Sequence, residues 1–186
     1  TGATGYLLIT KNSKTLFTDS RYTIAATNQA PDYNVVEVDA ARDYCKFINQ
    51  VLEAEKTETL GFEANQVRYS TYEALKARLA VKELVPLGGE LTDLRRIKTA
   101  EEIELHRQAE HIGDIAFEEI LKEIKPGVTE LEIAAKLEYI MKMNGADKLS
   151  FESIVASGTN SSKPHAEPGH KKIESGDFLT MDFGCV

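Results

Sequence analysis

Cysteine is scarce in this 186-residue chain, which carries two, Cys45 and Cys185. Their placement matches neither a metal-ligand spacing nor a disulfide framework. Both are expected to act as small apolar fillers in a reducing compartment, the cytoplasm. Basic runs are missing too: Lys and Arg number 22 against 30 Asp and Glu, a formal net charge of −8. Nucleic acid and anionic membrane surfaces are therefore set aside as partners. No stretch approaches the roughly 20 apolar residues of a membrane span. No secretory leader, internal repeat or low-complexity segment is visible. The sequence opens on Thr1 rather than Met, so the expectation is that the true start lies upstream.

What is present is the composition of a water-soluble globular protein, 42% hydrophobic and 28% charged. The length suits one large domain, or one small domain and part of a second. Tyr6–Thr10 and Thr15–Thr18 flank the polar Lys11-Asn12-Ser13-Lys14 and read as a β-hairpin. Thr1–Gly5 is a Gly-rich lead-in with no strand before it, which suggests that a first strand is absent. A short helix over Tyr22–Ala30 and a strand over Asn34–Val38 follow. Ala41–Glu55 reads as a helix with Phe47, Ile48, Val51 and Leu52 as its apolar stripe. A strand at Leu60–Phe62, a helix at Ser70–Ala80 and a strand at Leu84–Leu87 complete the first part. Strands alternating with helices imply an α/β unit with a mixed sheet.

Gly88-Gly89 loosens the chain, and a boundary is placed near Leu91–Lys98, dividing 1–92 from 93–186. Two helices then open on the same signature. Thr99-Ala100-Glu101-Glu102 and Thr129-Glu130-Leu131-Glu132 are both capping boxes. The first helix is expected to run to about Lys125, with Leu105, Ala109, Ile112, Ala116, Ile120 and Ile124 on one stripe, before Pro126-Gly127 stops it. The second carries Ile133, Leu137, Ile140 and Met141 and ends at Asn144-Gly145. This second unit reads as α+β: two helices followed by the start of a sheet, a layer begun and not finished.

The stretch Phe151–Val186 concentrates the chemistry. It reads as a strand over Glu152–Ala156, a polar loop from Ser157 to about Gly176, and a strand over Phe178–Phe183. Period two puts Phe178, Thr180 and Asp182 on one face of that strand and Leu179, Met181 and Phe183 on the other. A carboxylate closing an apolar strand needs a cation, a donor or water. His165 sits in the loop between Pro164 and Ala166. Residues alone leave two readings open, surface decoration or a functional His165–Asp182 pair. Asp182-Phe183-Gly184 copies a kinase metal-binding triplet, but the Gly-rich loop, strand lysine and catalytic-loop Asp that a kinase requires are absent. His165-Ala166-Glu167-Pro168-Gly169-His170 cannot be helical and reads as solvated loop residues rather than a metal cluster. His106 and His111, five apart on one helix, read as surface residues. Ser157-Gly158-Thr159-Asn160-Ser161-Ser162 has the composition of a phosphate cradle. It lacks the lysine and following helix of a P-loop, so an ordinary polar loop is the better reading.

Several stretches together resemble the Xaa-Pro peptidases, aminopeptidase P and prolidase, of the pita-bread metallopeptidase fold. They are Ile154-Val155-Ala156-Ser157-Gly158, Asn160-Ser161, Pro164-His165-Ala166, Ile173-Glu174-Ser175-Gly176-Asp177 and Met181-Asp182-Phe183-Gly184. Leu94–Ile103 is similar to that family's entry into its catalytic domain, and Lys125–Glu130 to its inter-helix turn. Thr1–Gly5, Leu16–Tyr22 and Val35–Val38 resemble a creatinase-type N-terminal domain, so the likeness covers essentially the whole chain. It implies a creatinase-type mixed-sheet domain followed by an incomplete pita-bread catalytic domain. It also implies hydrolysis of the bond before proline by two divalent metal ions, Mn, Co or Zn, and a bridging water. By the same resemblance Asp182 is a metal ligand and His165 an active-site histidine outside the metal shell. The other ligands of the family pattern fall downstream of Val186.

The resemblance further implies a peptide substrate with proline at its second position and a homodimer. The chain as given is expected to bind no metal tightly and to be inactive by itself. Two alternatives from other classes remain: a binding module that has lost its metals, and a creatinase-like amidinohydrolase.

Overall fold

The computed structural model describes residues 5–39, 41 and 43–186. Of the Gly-rich lead-in only Gly5 falls among them, and it begins the first strand. The chain divides into two compact units, residues 1–96 and 97–186.

In the first unit, β1 (Gly5–Ile9) and β2 (Lys14–Thr18) form the expected hairpin, with Gly5 opposite Thr18 and Ile9 opposite Lys14. The Thr10 amide donates to the Ser13 carbonyl at 2.9 Å and closes the turn. The helix α1 (Thr23–Gln29) then carries the chain back, so that β3 (Asn34–Glu37) pairs with β2 in parallel. Parallel neighbours need such a crossover, because a tight turn joins only antiparallel strands. The same device recurs with β4 (Thr59–Glu63), α3 (Tyr69–Arg78) and β5 (Glu83–Leu87), where β4 and β5 are parallel. The α/β class stands. The described strands of this unit fall into a three-stranded mixed sheet, β1-β2-β3, and a separate two-stranded sheet, β4-β5.

Between β3 and β4 lies α2 (Tyr44–Ala54), capped by the Asp43 carboxylate, which accepts from the Lys46 amide at 3.2 Å. Ile48 and Leu52 of its apolar stripe are buried against Leu8, Phe17 and Leu75, with Phe47 and Val51 packed at the margin. A short helix not read from the sequence, α4 (Glu90–Leu94), occupies the stretch taken as boundary. It spans five residues and buries none of them, so it leaves no periodic apolar trace.

In the second unit both capping boxes form. Thr99 Oγ1 accepts from the Glu102 amide at 3.2 Å while the Glu102 carboxylate accepts from the Thr99 amide at 2.8 Å. Thr129 and Glu132 repeat the exchange at the same distances. They open α5 (Ala100–Leu121) and α6 (Glu130–Met143). The end of α5 falls at Leu121 rather than near Lys125: the Lys122 and Glu123 amides bond three residues back, to the Glu119 and Ile120 carbonyls, and Pro126 keeps Lys125 from resuming the helix before Gly127 turns out at φ +95°. Ala116 and Ile120 of the α5 stripe are buried with Ile133, Leu137 and Met141 of α6. Burial of each large aliphatic side chain is worth about 1.5–3 kcal/mol. Leu105, expected on that stripe, is 64% exposed, so the stripe is covered only over the C-terminal half of α5.

The helices pack against a hairpin of β6 (Ile154–Ser157) and β7 (Leu179–Asp182), antiparallel, with Ile154 opposite Asp182 and Ser157 opposite Leu179. A further bridge between Leu149 and Cys185 continues the pairing. Both cysteines are free thiols, Cys45 buried and Cys185 half-buried.

Candidate functional site

Alternation along β7 is as the sequence requires. Leu179, Met181 and Phe183 pack on the helical core, while Thr180 and Asp182 are exposed on the opposite face. The Asp182 carboxylate is thus open to solvent rather than buried. Among the described residues its side chain has no hydrogen bond or ion pair, and the same holds for His165. His165 is exposed in the turn after Pro164, beside the buried Ala166. The two residues belong to one unit, and no hydrogen bond or ion pair joins them. Nor do the described residues contain a group of three or more His, Cys, Asp or Glu able to hold a metal ion. One exposed carboxylate does not fit a pair of divalent ions, which need several anionic ligands around and between them. His106 and His111 are both exposed.

The most connected group of this unit is one that the sequence did not single out. Glu130, the first residue of α6, is fully buried. Its Oε1 accepts from the Ser157 amide at 2.7 Å, from Ser157 Oγ at 2.9 Å and from Asn160 Nδ2 at 3.1 Å. Its Oε2 accepts from Asn160 Nδ2 at 3.2 Å and from the Gly169 amide at 3.3 Å. Burial alone would raise this carboxyl. The donors from Ser157, Asn160 and Gly169 outweigh it and hold the group below the usual glutamate range. The N-terminus of α6 also favours a negative charge. The segment Ser157–Ser162, whose composition resembles an anion cradle, does receive an anion, and that anion is the protein's own glutamate. Gly158–Ser162 accomplishes this as a 3-10 turn, a regularity absent from the expected irregular loop.

A second layer extends from Ser157. Lys171 Nζ donates to Ser157 Oγ at 2.9 Å and to Asp177 Oδ2 at 3.0 Å, and the same oxygen accepts from the Glu174 amide at 3.0 Å. The Lys171 hydrogen bond, helped by the Glu174 amide, holds the Asp177 carboxyl below its ordinary value. Gly158 closes against this pair. Its φ is +51°, and a Cβ there would lie 2.5 Å from Asp177 Oδ1. Backbone bonds tie the returning arm of the loop to the start of α6: the Glu130 amide donates to the Lys171 carbonyl at 3.1 Å and the Leu131 amide to the Gly169 carbonyl at 3.0 Å. His165 is therefore carried by a loop anchored on both sides, from Ser157 and Asn160 before it and from Gly169 and Lys171 after it.

Residues 1–97 match the creatinase/prolidase N-terminal domain, and residues 104–186 match metallopeptidase family M24. The Bacillus subtilis uncharacterized peptidase YqhT is 39% identical over 185 residues, covering 100% of this chain and 52% of the relative. The Xaa-Pro dipeptidase of Pyrococcus furiosus is 37% identical, covering 98% of this chain and 50% of that protein. Among solved structures, an Xaa-Pro dipeptidase from Bacillus anthracis superposes with a TM-score of 0.91 at 40% identity, over 100% of this chain and 51% of its own. The chain spans about half the length of the curated relatives it matches.

Proposed function

Because the chain belongs to the creatinase/prolidase family, with its second half in metallopeptidase family M24, we propose that the whole protein hydrolyses the bond before proline in Xaa-Pro peptides. The observation that carries this is the match of the full chain, in sequence and in fold, to Xaa-Pro dipeptidases. Asp182 is assigned as a metal ligand: it is a carboxylate held open to solvent by strand alternation, with no protein partner competing for it. His165 is assigned as a catalytic residue that contacts substrate, since an imidazole in an exposed, anchored turn can donate or carry a proton. The described residues do not fit two ions, and the remaining ligands are placed outside these 186 residues. As the setting we carry over from the family likeness a homodimer in the cytoplasm; the two free thiols suit a reducing compartment.

Release of proline from an Xaa-Pro dipeptide in excess Mn²⁺ tests the reading, run on the whole protein, its Asp182→Ala variant and the isolated 186-residue chain. Turnover is expected from the first alone. No turnover by the whole protein on Xaa-Pro dipeptides or longer Xaa-Pro peptides overturns the activity. Tight calorimetric binding of two ions by the isolated chain overturns the ligand assignment.

A further inference from the structure

We propose that Glu130 is the positioning residue of the site, the group that sets where His165 is presented; this rests on the functional reading above. The returning arm, Gly169 to Ile173, is stitched to the start of α6 by main-chain bonds that survive any side-chain change: Gly127 amide to Ile173 carbonyl at 2.9 Å, Ile173 amide to Val128 carbonyl at 2.8 Å, and the two bonds from Glu130 and Leu131. The outgoing arm has no such main-chain tie to α6. Among the described residues its hydrogen bonds to α6 all converge on the Glu130 carboxylate, through the Ser157 amide, Ser157 Oγ and Asn160 Nδ2. Because the same carboxylate also accepts from Gly169, it spans the two arms between which His165 lies, beside the direct bond from Lys171 to Ser157 Oγ.

The chemistry demands a carboxylate at this point. Its donors are two backbone amides, a hydroxyl and a side-chain amide, and only an acceptor-only group with two oxygens satisfies them all. Glutamine would turn an N–H₂ toward one set of donors, and aspartate is one methylene too short to reach both arms. A buried polar cluster left partly unsatisfied relaxes by releasing its weakest-held member, here the turn around Asn160, since Ser157 stays paired with Leu179 of β7 and the Gly158 amide with the Phe178 carbonyl just before it. Helix start and returning arm stay together. The consequence is a local displacement of His165 rather than loss of the fold, and a catalytic group misplaced by about 1 Å can lose about 100-fold in rate.

Glu130→Gln is compared with Glu132→Gln, which removes a capping carboxylate from the same helical turn, and with Asn160→Ala, which removes one donor of the outgoing arm and leaves the buried carboxylate with its Ser157 bonds. In the 186-residue chain the readouts are the His165 ring resonances and amide exchange at Ser157 and Gly169. Expected for Glu130→Gln are ring resonances moved toward free-peptide positions and exchange at Ser157 faster by about tenfold or more, with Ile133–Leu137 amides little changed. Asn160→Ala should do the same to a smaller degree, and Glu132→Gln should do neither. In the whole protein, kcat on an Xaa-Pro dipeptide should fall about 10- to 100-fold with KM within a few-fold. The proposal is overturned if Glu130→Gln folds with unmoved His165 resonances, or if its kcat falls no further than that of Glu132→Gln. Should the wild-type whole protein lack turnover, the functional reading falls, while the ring and exchange measurements still decide whether Glu130 sets the position of His165.

Discussion

Replacing Gly158 by alanine should destabilise the second unit more than replacing Gly176, although backbone conformation alone argues the reverse. Gly176 sits at φ +93° with nothing within 4 Å of where a Cβ would be. Gly158, at φ +51°, lies in the part of left-handed space that an alanine enters at about 1–2 kcal/mol. Gly176 lies beyond the usual left-handed range, so on conformation alone its substitution is the costlier. The difference lies in the surroundings. A Cβ on residue 158 would stand 2.5 Å from Asp177 Oδ1, 3.0 Å from its Cγ and 3.2 Å from Oδ2. A free side-chain end could swing away, but this one is held by Lys171 and the Glu174 amide. Either the carboxylate leaves those donors or the start of the 3-10 turn shifts, and overpacking of this kind costs about 1–3 kcal/mol. The sum for Gly158→Ala is about 2–5 kcal/mol. Chemical denaturation at neutral pH, with the Lys171 and Glu174 resonances followed by NMR, reads both parts. Equal or smaller destabilisation than in Gly176→Ala, or an unchanged Lys171–Asp177 pair, refutes the reasoning.

Acid should weaken the second unit through Glu130 and, with the same sign, Asp177. Both carboxyls are held below their ordinary range in the folded state; stability from each is fully present above the unfolded value, near 4.3 for glutamate and 3.9 for aspartate, and is lost as pH falls through the lower folded value. The denaturation midpoint should therefore drop below about pH 4, less steeply in Glu130→Gln than in wild type; identical slopes would remove Glu130 from that account. The isolated chain should self-associate, since Phe178 is 85% exposed beside the open face of β7 and an unpaired strand edge invites a second chain. A clean monomer in sedimentation at high micromolar concentration contradicts that.

How far the sequence could be followed depended on the range of the interaction. Helix starts were legible because a capping box is a contact over three residues: Thr99 with Glu102 and Thr129 with Glu132 form as the motif requires. The faces of β7 were legible because period two is a property of a single strand. Coverage was not, because periodicity shows which side of α5 is apolar but not how much of it is covered, and Leu105 is exposed. The separation of β4-β5 from the other strands is likewise a matter of long-range pairing. Glu130 was hidden by its neighbour. In Thr129-Glu130-Leu131-Glu132 the capping role belongs to Glu132, and Glu130 reads as one more acid in a first turn. Its partners Ser157, Asn160 and Gly169 lie 27 to 39 positions away. The composition of Ser157–Ser162 was the usable signal, an anion cradle without an external anion.

The two halves of the hairpin differ in how they would tolerate a change of length. Residues 163–168 hang between anchored ends, so a codon gained or lost there alters reach but leaves both strands in place. One residue removed between Gly176 and Leu179 would instead slide β7 by a single step. Because the side-chain period is two, Leu179, Met181 and Phe183 would turn to water while Thr180 and Asp182 turned into the helical core. A change of length within 163–168 should accordingly spare the fold and move His165, whereas one in the short approach to β7 should cost the fold itself.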